Sequence, residues 1–358
     1  LVKERLNAVL KEMDNRNIHQ ILVSDPASIF YLTKKWIHPG ERMLVLFISS
    51  NETPKLFINE LFPVNEDLGV EIIRFNDIQD PVEILSKYID SNKTIGIDKN
   101  WPSRFLLRLM ELTSNNNFIN SSFILDRLRM CKDEEEKNLM RKASEINDKA
   151  MKKLIKSIPD KLSEKKMSGI LSDIYEKLGA DGFSFSPIIA YGPNAADPHH
   201  EPDNSTVKEG DSIILDIGCV KDSYCSDMTR TVFYKYVPDK AKEIYNIVLE
   251  ANKRAIERVK PGVKFCDIDA AARDYIESKG YGKYFTHRTG HSIGIEVHDF
   301  GDVSSVNNDI LKPGMIFSIE PGIYLEGEVG VRIEDLVLVT EDGCEVLNKF
   351  PKELTVVE

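Results

Sequence analysis

The spacing of apolar residues changes along the chain, and the changes predict its elements. Up to about residue 125, short β-branched runs alternate with helical stretches, as in an α/β layer. Residues 20–23, 43–48, 55–58, 70–75 and 94–98 read as strands, and 82–88 and 103–112 as helices. Leu1-Val2-Lys3-Glu4-Arg5-Leu6-Asn7-Ala8-Val9-Leu10 is amphipathic at helical spacing. A boundary is expected between 125 and 126. Asp133 then reads as an N-cap, with acids in the first turn of a long helix reaching 158. Its apolar face is Leu139, Ala143, Ile146, Ala150 and Leu154, and Pro159 ends it. Helices over 163–178, stopped by Gly179, and over 238–258 and 265–279 follow.

Between these helices lies an acidic hairpin. Asp211-Ser212-Ile213-Ile214-Leu215 and Thr229-Arg230-Thr231-Val232-Phe233-Tyr234 read as buried strands, with turn chemistry at Val220-Lys221-Asp222-Ser223. Folding it brings Asp216 and Asp227 near each other. Two carboxylates held close raise each other's pKa unless a cation separates them. Three more candidate ligands follow: His291 in Thr289-Gly290-His291, Glu320 in Ser318-Ile319-Glu320-Pro321-Gly322, and Glu334 in Arg332-Ile333-Glu334-Asp335. Both glutamates adjoin apolar β-branched runs, where a solvated side chain is not expected. Four carboxylates and one imidazole balance two divalent ions and suit Mn²⁺, Co²⁺, Fe²⁺ or Zn²⁺.

Composition narrows the possibilities. The 358 residues are long for one core and fit two domains. A formal net charge of −11 and a pI near 5.3 argue against nucleic acid as a partner. Five widely spaced cysteines suggest free thiols in a reducing compartment, and Cys219 and Cys225 beside the hairpin read as packed side chains. No apolar run approaches a membrane span and the first residues are not a signal sequence, so a soluble, cytoplasmic protein with no membrane partner is expected.

The ordered set Asp216, Asp227, His291, Glu320 and Glu334 resembles the dinuclear signature of the pita-bread metallopeptidases: prolidase, aminopeptidase P and methionine aminopeptidase. Ser28-Ile29-Phe30-Tyr31-Leu32-Thr33 resembles the creatinase-type amino-terminal domain of the first two, which methionine aminopeptidases lack. The resemblance implies an α+β architecture: a creatinase-like α/β domain over 1–125, then a pita-bread catalytic domain over 126–358. It also implies a homodimer acting on small proline-containing peptides, with Trp36 or His38 leaning over the partner's site. The fold's metal-free C–N hydrolases would not need all five ligands, and a non-catalytic pita-bread binding protein, the remote alternative, usually has them eroded.

By the same resemblance, a hydroxide bridging two divalent metals, Mn²⁺ or Co²⁺ ahead of Zn²⁺ or Fe²⁺, attacks the Xaa-Pro bond. Glu320 is the implied general base, and His199 (rather than the adjacent His200) and His298 are the implied non-ligand histidines. Arg332 would hold a carboxylate or the substrate, and Tyr224 matches a tyrosine position near the centre in prolidases. Strict dipeptidases carry Arg four residues after the second histidine, where this chain has Asp302. An acid there would repel a dipeptide's carboxylate. That tilts the expectation towards Xaa-Pro aminopeptidase, with Xaa-Pro dipeptidase the alternative and Lys34 or Lys35 a possible source of the missing cation.

Overall fold

The computed structural model describes residues 1–50, 52–113 and 117–358. The chain divides into two compact units, Leu1–Arg129 and Met130–Glu358. The division falls late in the helix Ser122–Met130, so the boundary read at 125 lies inside a helix. No helix among the described residues is long and apolar enough to cross a membrane.

The first unit is a six-stranded mixed sheet. Its spatial order is Glu71–Phe75, Lys55–Asn59, Val45–Ser49, Gln20–Val23, Ile95–Ile97 and Phe118–Asn120. The last strand is one that the sequence reading did not pick out. Ser28 to Thr33 lie in the helix Pro26–Thr33, capped by Asp25, whose side chain accepts from the Ser28 N–H. Arg129 donates to the same carboxylate at 3.0 Å, closing a buried ion pair. Trp36 stacks on Phe30 with centroids 4.8 Å apart, and His38 stacks on Trp36 at 5.4 Å. This aromatic ladder half-buries Trp36 in its own unit.

In the second unit Asp133 and Glu136 form a reciprocal capping box on the helix Glu134–Ile155. Its buried face uses Met140, Ala143, Ile146, Ala150 and Leu154; Leu139, expected on that face, is only half-buried. The α-helix stops at Ile155, and Pro159 sits in a separate 3-10 turn, Ile158–Asp160. This helix and Glu164–Leu178 pack on a sheet containing Ile188–Tyr191, Ser212–Ile217 and Met228–Tyr234. Asp239–Arg258 and Phe265–Ser278 pack on the paired strands Ile316–Ile319 with Asp335–Val339, and Gly322–Leu325 with Val329–Arg332. Two helix-on-sheet halves thus meet edge to edge.

Arg230 fastens the seam between the halves. Its guanidinium pairs with Asp335 at 2.7 Å and donates to the carbonyls of Glu334, Phe350 and Pro351. Both partners are buried, so the pair holds only because every donor finds an acceptor or a charge.

Candidate active site

Asp216 and Asp227 come from the first half. The strands Ser212–Ile217 and Met228–Tyr234 pair antiparallel with Asp216 opposite Thr229, so Asp227 is the residue just before the ladder closes. A second, tighter hairpin spans the interval, pairing Val220 with Cys225. Asp222 and Ser223 at its tip both have positive φ, 49° and 72°, the twist a two-residue hairpin turn needs. Cys219 and Cys225 are buried in this hairpin and do not line the cavity below.

The second half supplies the rest. Glu320 follows the strand Ile316–Ile319, and Glu334 precedes Asp335–Val339. At both points the chain passes from one antiparallel pair to the next, and Pro321, which has no N–H to pair, marks the change. The backbone break leaves the two carboxylates free to point inward. His291 pairs with Asp302 across a two-residue ladder. Gly290 lets that ladder approach the Ile316–Ile319 strand: a Cβ there would lie 1.8 Å from the Ser318 carbonyl oxygen.

All five side chains line one cavity of about 530 Å³, together with His199, His287, Arg288, His298 and Arg332. His291 Nε2 stands 3.6 Å from Asp227 Oδ2 and 3.5 Å from Glu320 Oε1. These separations exceed a normal hydrogen bond. They suit atoms that share an ion at about 2.0–2.2 Å each. Nδ1 of His291 faces the Ser292 carbonyl at 3.2 Å, which assigns the proton to Nδ1 and leaves Nε2 bare for a metal. Asp227, His291 and Glu334 offer ligand atoms that all lie within 4.8 Å of one another.

The electrostatics point the same way. Oδ1 of Asp216 and Oδ1 of Asp227 are buried with no hydrogen-bond partner. Burial, then the neighbouring Glu334 and Asp216, raises Asp227 well above the carboxylate range. Burial, then Glu320 and Asp216, does the same to Glu334, and burial raises Glu320. Burial pushes His291 down to about 4, so it is a neutral donor at physiological pH. His298 is more open to solvent; the burial it has, with His291 edge-on at a centroid distance of 4.3 Å, pulls it to about 4 as well. Repelling, unpartnered buried carboxylates beside a neutral imidazole are a set that divalent cations would satisfy.

Hydroxyls orient these groups. Ser318 Oγ accepts the backbone N–H of His291 at 3.0 Å and donates to Glu320 at 3.1 Å. Thr229 Oγ1 accepts from Arg332 Nε and donates to Glu334 at 2.7 Å. Arg332 itself is buried and donates to Asp216 and to the Tyr324 hydroxyl, at 2.8 and 2.9 Å. His287 completes this line. Its Nδ1 faces the Arg288 carbonyl at 2.7 Å, so Nδ1 carries the proton, and Nε2 accepts from Tyr324 at 2.9 Å. None of Ser318, Thr229, Tyr324, His287 or Arg288 was singled out from sequence. His287 and Arg288 lie in the segment leading to the Thr289-Gly290-His291 motif, and that adjacency is the one signal the sequence offered.

Three sequence expectations resolve in detail. His199 lines the cavity, whereas His200 Nε2 is bonded to Glu164 at 2.7 Å. Glu164, His200 and Asp203 also cluster, but both Glu164 oxygens are taken up by N–H donors from Tyr191, Asn194, His200 and Asp203. Tyr224 does not line the cavity: it is buried, and its hydroxyl donates to Glu136 at 2.8 Å. Asp302 is not part of the lining either. Its Oδ1 accepts from Ser304 and Asn307, so the acid expected to repel a substrate carboxylate is engaged by its own loop.

With this geometry in view, comparison with known proteins decides the class. Residues 138–341 match the model of metallopeptidase family M24, and residues 5–131 match the creatinase/prolidase N-terminal domain. The chain belongs to metallopeptidase family M24. An uncharacterized peptidase of Staphylococcus aureus is 34% identical over 352 residues, 97% of this chain and 99% of that protein. The solved prolidase of Thermococcus sibiricus superposes with a TM-score of 0.93 at 34% identity, covering 99% of each chain. The solved Xaa-Pro dipeptidase of Bacillus anthracis does so with 0.89 at 32% identity, again covering 99% of each. A creatinase-like N-terminal domain followed by a pita-bread domain is therefore the fold, and the M24 chain is an enzyme that requires divalent metal.

Proposed function

We propose that the chain is an Xaa-Pro dipeptidase, hydrolysing the bond before proline in dipeptides. Asp216, Asp227, His291, Glu320 and Glu334 would hold two divalent ions, with Mn²⁺ or Co²⁺ preferred. The carrying observation is the pair of buried, unpartnered aspartate oxygens, Asp216 Oδ1 and Asp227 Oδ1, with the bare Nε2 of His291 3.6 Å from the other oxygen of Asp227. The aminopeptidase preference rested on Asp302, which is engaged by Ser304 and Asn307. Relatives named as prolidase and Xaa-Pro dipeptidase over nearly the whole chain support the dipeptide reading.

When bound, the ions supply a Lewis acid for the scissile carbonyl and make water acidic enough to attack near neutral pH. The residues do the rest. Glu320, whose pKa is raised by burial, takes a proton from the attacking water and passes it to the proline nitrogen as the C–N bond breaks. The hydroxyl stays on the acyl carbon, so one water is consumed per bond. His298 is neutral at pH 7 and can donate an N–H towards the oxygen where charge develops; His199, at the exposed rim, can hold the substrate amide. Arg332 orients Asp216 by donating to its Oδ2.

Five unpaired cysteines support a cytoplasmic setting, and a homodimer is proposed from family membership, to be tested by sedimentation. The substrate reading is tested by giving the metal-stripped protein Mn²⁺, Co²⁺ or Zn²⁺ and comparing Ala-Pro with Ala-Pro-Ala. Preferential cleavage of Ala-Pro is expected. Preferential cleavage of the tripeptide would return the assignment to aminopeptidase.

A further inference from the structure

A dipeptide differs from longer peptides in carrying a free carboxylate one residue beyond the scissile bond. An enzyme selective for dipeptides needs a cation within reach of that group. Among the described cavity-lining residues there are two arginines. Arg332 is committed: its guanidinium is buried and spent on Asp216, Tyr324 and Thr229. His287 has both ring nitrogens occupied, by the Arg288 carbonyl and by Tyr324. Outside the cavity, Lys35 is paired with Glu66 at 2.6 Å.

Arg288 is different. Its side chain is exposed on the cavity wall, and no carboxylate among the described residues pairs with its guanidinium. In a chain with a net charge of −11, a cation left without an acid beside a ring of carboxylates is conspicuous. The segment that carries it is fixed from behind. Arg273 donates to the carbonyls of Phe285 and His287, at 3.2 and 2.9 Å. Buried Asp269 holds Arg273 at 2.8 Å and accepts from the Thr289 hydroxyl at 2.6 Å. The backbone on both sides of Arg288 is thereby braced, while the guanidinium itself stays available.

We propose that Arg288 is the anchor for the carboxylate terminus of a dipeptide substrate, binding it through the two-pronged geometry that guanidinium and carboxylate share. The proposal deepens the dipeptidase reading and rests on it. Arg288 would occupy the role that the sequence comparison of Asp302 left empty, from the opposite side of the His291 motif. A longer peptide carries an amide at that place and gains nothing from the guanidinium.

The test measures kcat/KM of the metal-loaded enzyme and of its Arg288→Gln and Arg288→Lys variants on Ala-Pro and Ala-Pro-amide. The parent enzyme should favour the free acid. In Arg288→Gln that preference should fall by about ten- to a hundredfold, chiefly through KM, the size of a lost charged hydrogen bond. Arg288→Lys should restore part of it, since charge remains but the fork does not. A parent that favours the amide overturns the dipeptidase reading and the anchor with it. A parent that favours the acid, with Arg288→Gln keeping the same preference, overturns the anchor alone. Equal losses on both substrates would also overturn it, since a positioning role has no reason to distinguish acid from amide.

Discussion

Arg332 Nη2 donates to Asp216 Oδ2 at 2.8 Å, and the other oxygen of that carboxylate is buried without a partner. One oxygen is thus fixed by a cation of the protein, and the other is the one proposed above to take a metal ion. Burial disfavours the Arg332 charge, yet Tyr324 and Asp216 more than compensate and keep it protonated. Replacing Arg332 with Leu removes the fork and takes the donor from Asp216 Oδ2, while Tyr324 keeps His287. Metal affinity should fall by about 10–100-fold, measurable by calorimetric titration with Mn²⁺. An unchanged affinity would show that the Asp216 carboxylate needs no such support.

Metal uptake should also depend on pH with a definite sign. In the metal-free protein burial raises Asp227, Glu334 and Glu320, so the folded state retains protons that the unfolded chain has lost. Stability from these groups is therefore greatest at acid pH and declines as pH rises from the ordinary carboxylate range through the raised values. His291 acts in the opposite sense: with a folded pKa of about 4 against 6.5, it costs stability as pH falls between those values. Cation binding requires bare ligands, so affinity rises with pH and uptake releases protons. Titrations near pH 6 in two buffers of different ionisation enthalpy should reveal that release. Identical heats in both would contradict it.

The Arg230–Asp335 pair makes a prediction about stability. Both side chains are buried, and Lys352 also reaches Asp335, at 2.6 Å. Arg230→Met would take from Asp335 one of its two cations, leaving Lys352, and empty four carbonyl bonds. The expected loss is about 3–5 kcal/mol, read from denaturant unfolding. Arg230→Met with Asp335→Leu should lose less than Arg230→Met alone. A single-variant loss within the range of an exposed pair, about 0–1 kcal/mol, would mean the seam is held by packing alone.

Gly290 offers a geometric check. Its missing side chain lets His291 pass within reach of the Ser318 strand, where a Cβ would collide with a carbonyl oxygen at 1.8 Å. Gly290→Ala should therefore cost about 1–3 kcal/mol, typical of overpacking. It should also lower activity more than that loss of stability explains, because Ser318 holds the His291 backbone N–H and the Glu320 carboxylate together. Full activity in Gly290→Ala would show that the strand can yield without disturbing the imidazole.

Glu320 and Glu334 stood out in the sequence because each adjoins an apolar strand, and Asp216 and Asp227 because a hairpin between buried strands brings them together. A charge in such a place must be explained by chemistry. The N-cap at Asp133 and the stop at Gly179 were legible for a similar reason, since local hydrogen bonding dictates the residue type. The orienting hydroxyls of Ser318 and Thr229 were not, because a small polar residue in a strand carries no sign of what it will face. Where the Tyr224 and Asp302 side chains point was not legible, for the complementary reason. Their spacing from Asp227 and His298 suggested the cavity, but spacing does not specify where a side chain points. Glu136 claims the tyrosine hydroxyl from a helix 88 residues away. Ser304 and Asn307 claim the aspartate within its own turn. Arg288 escaped notice because an arginine beside a motif reads as solvated surface until the neighbouring acids are seen to be elsewhere.

The most direct test of the central claim is metal content set against turnover. The metal-stripped protein should be inactive on Ala-Pro and regain activity as it binds two Mn²⁺ or Co²⁺ ions per chain. Asp227→Asn and Glu334→Gln should each lower both the ions retained and the rate. Hydrolysis that persists in excess chelator, or variants that bind metal and turn over like the parent, would contradict the account.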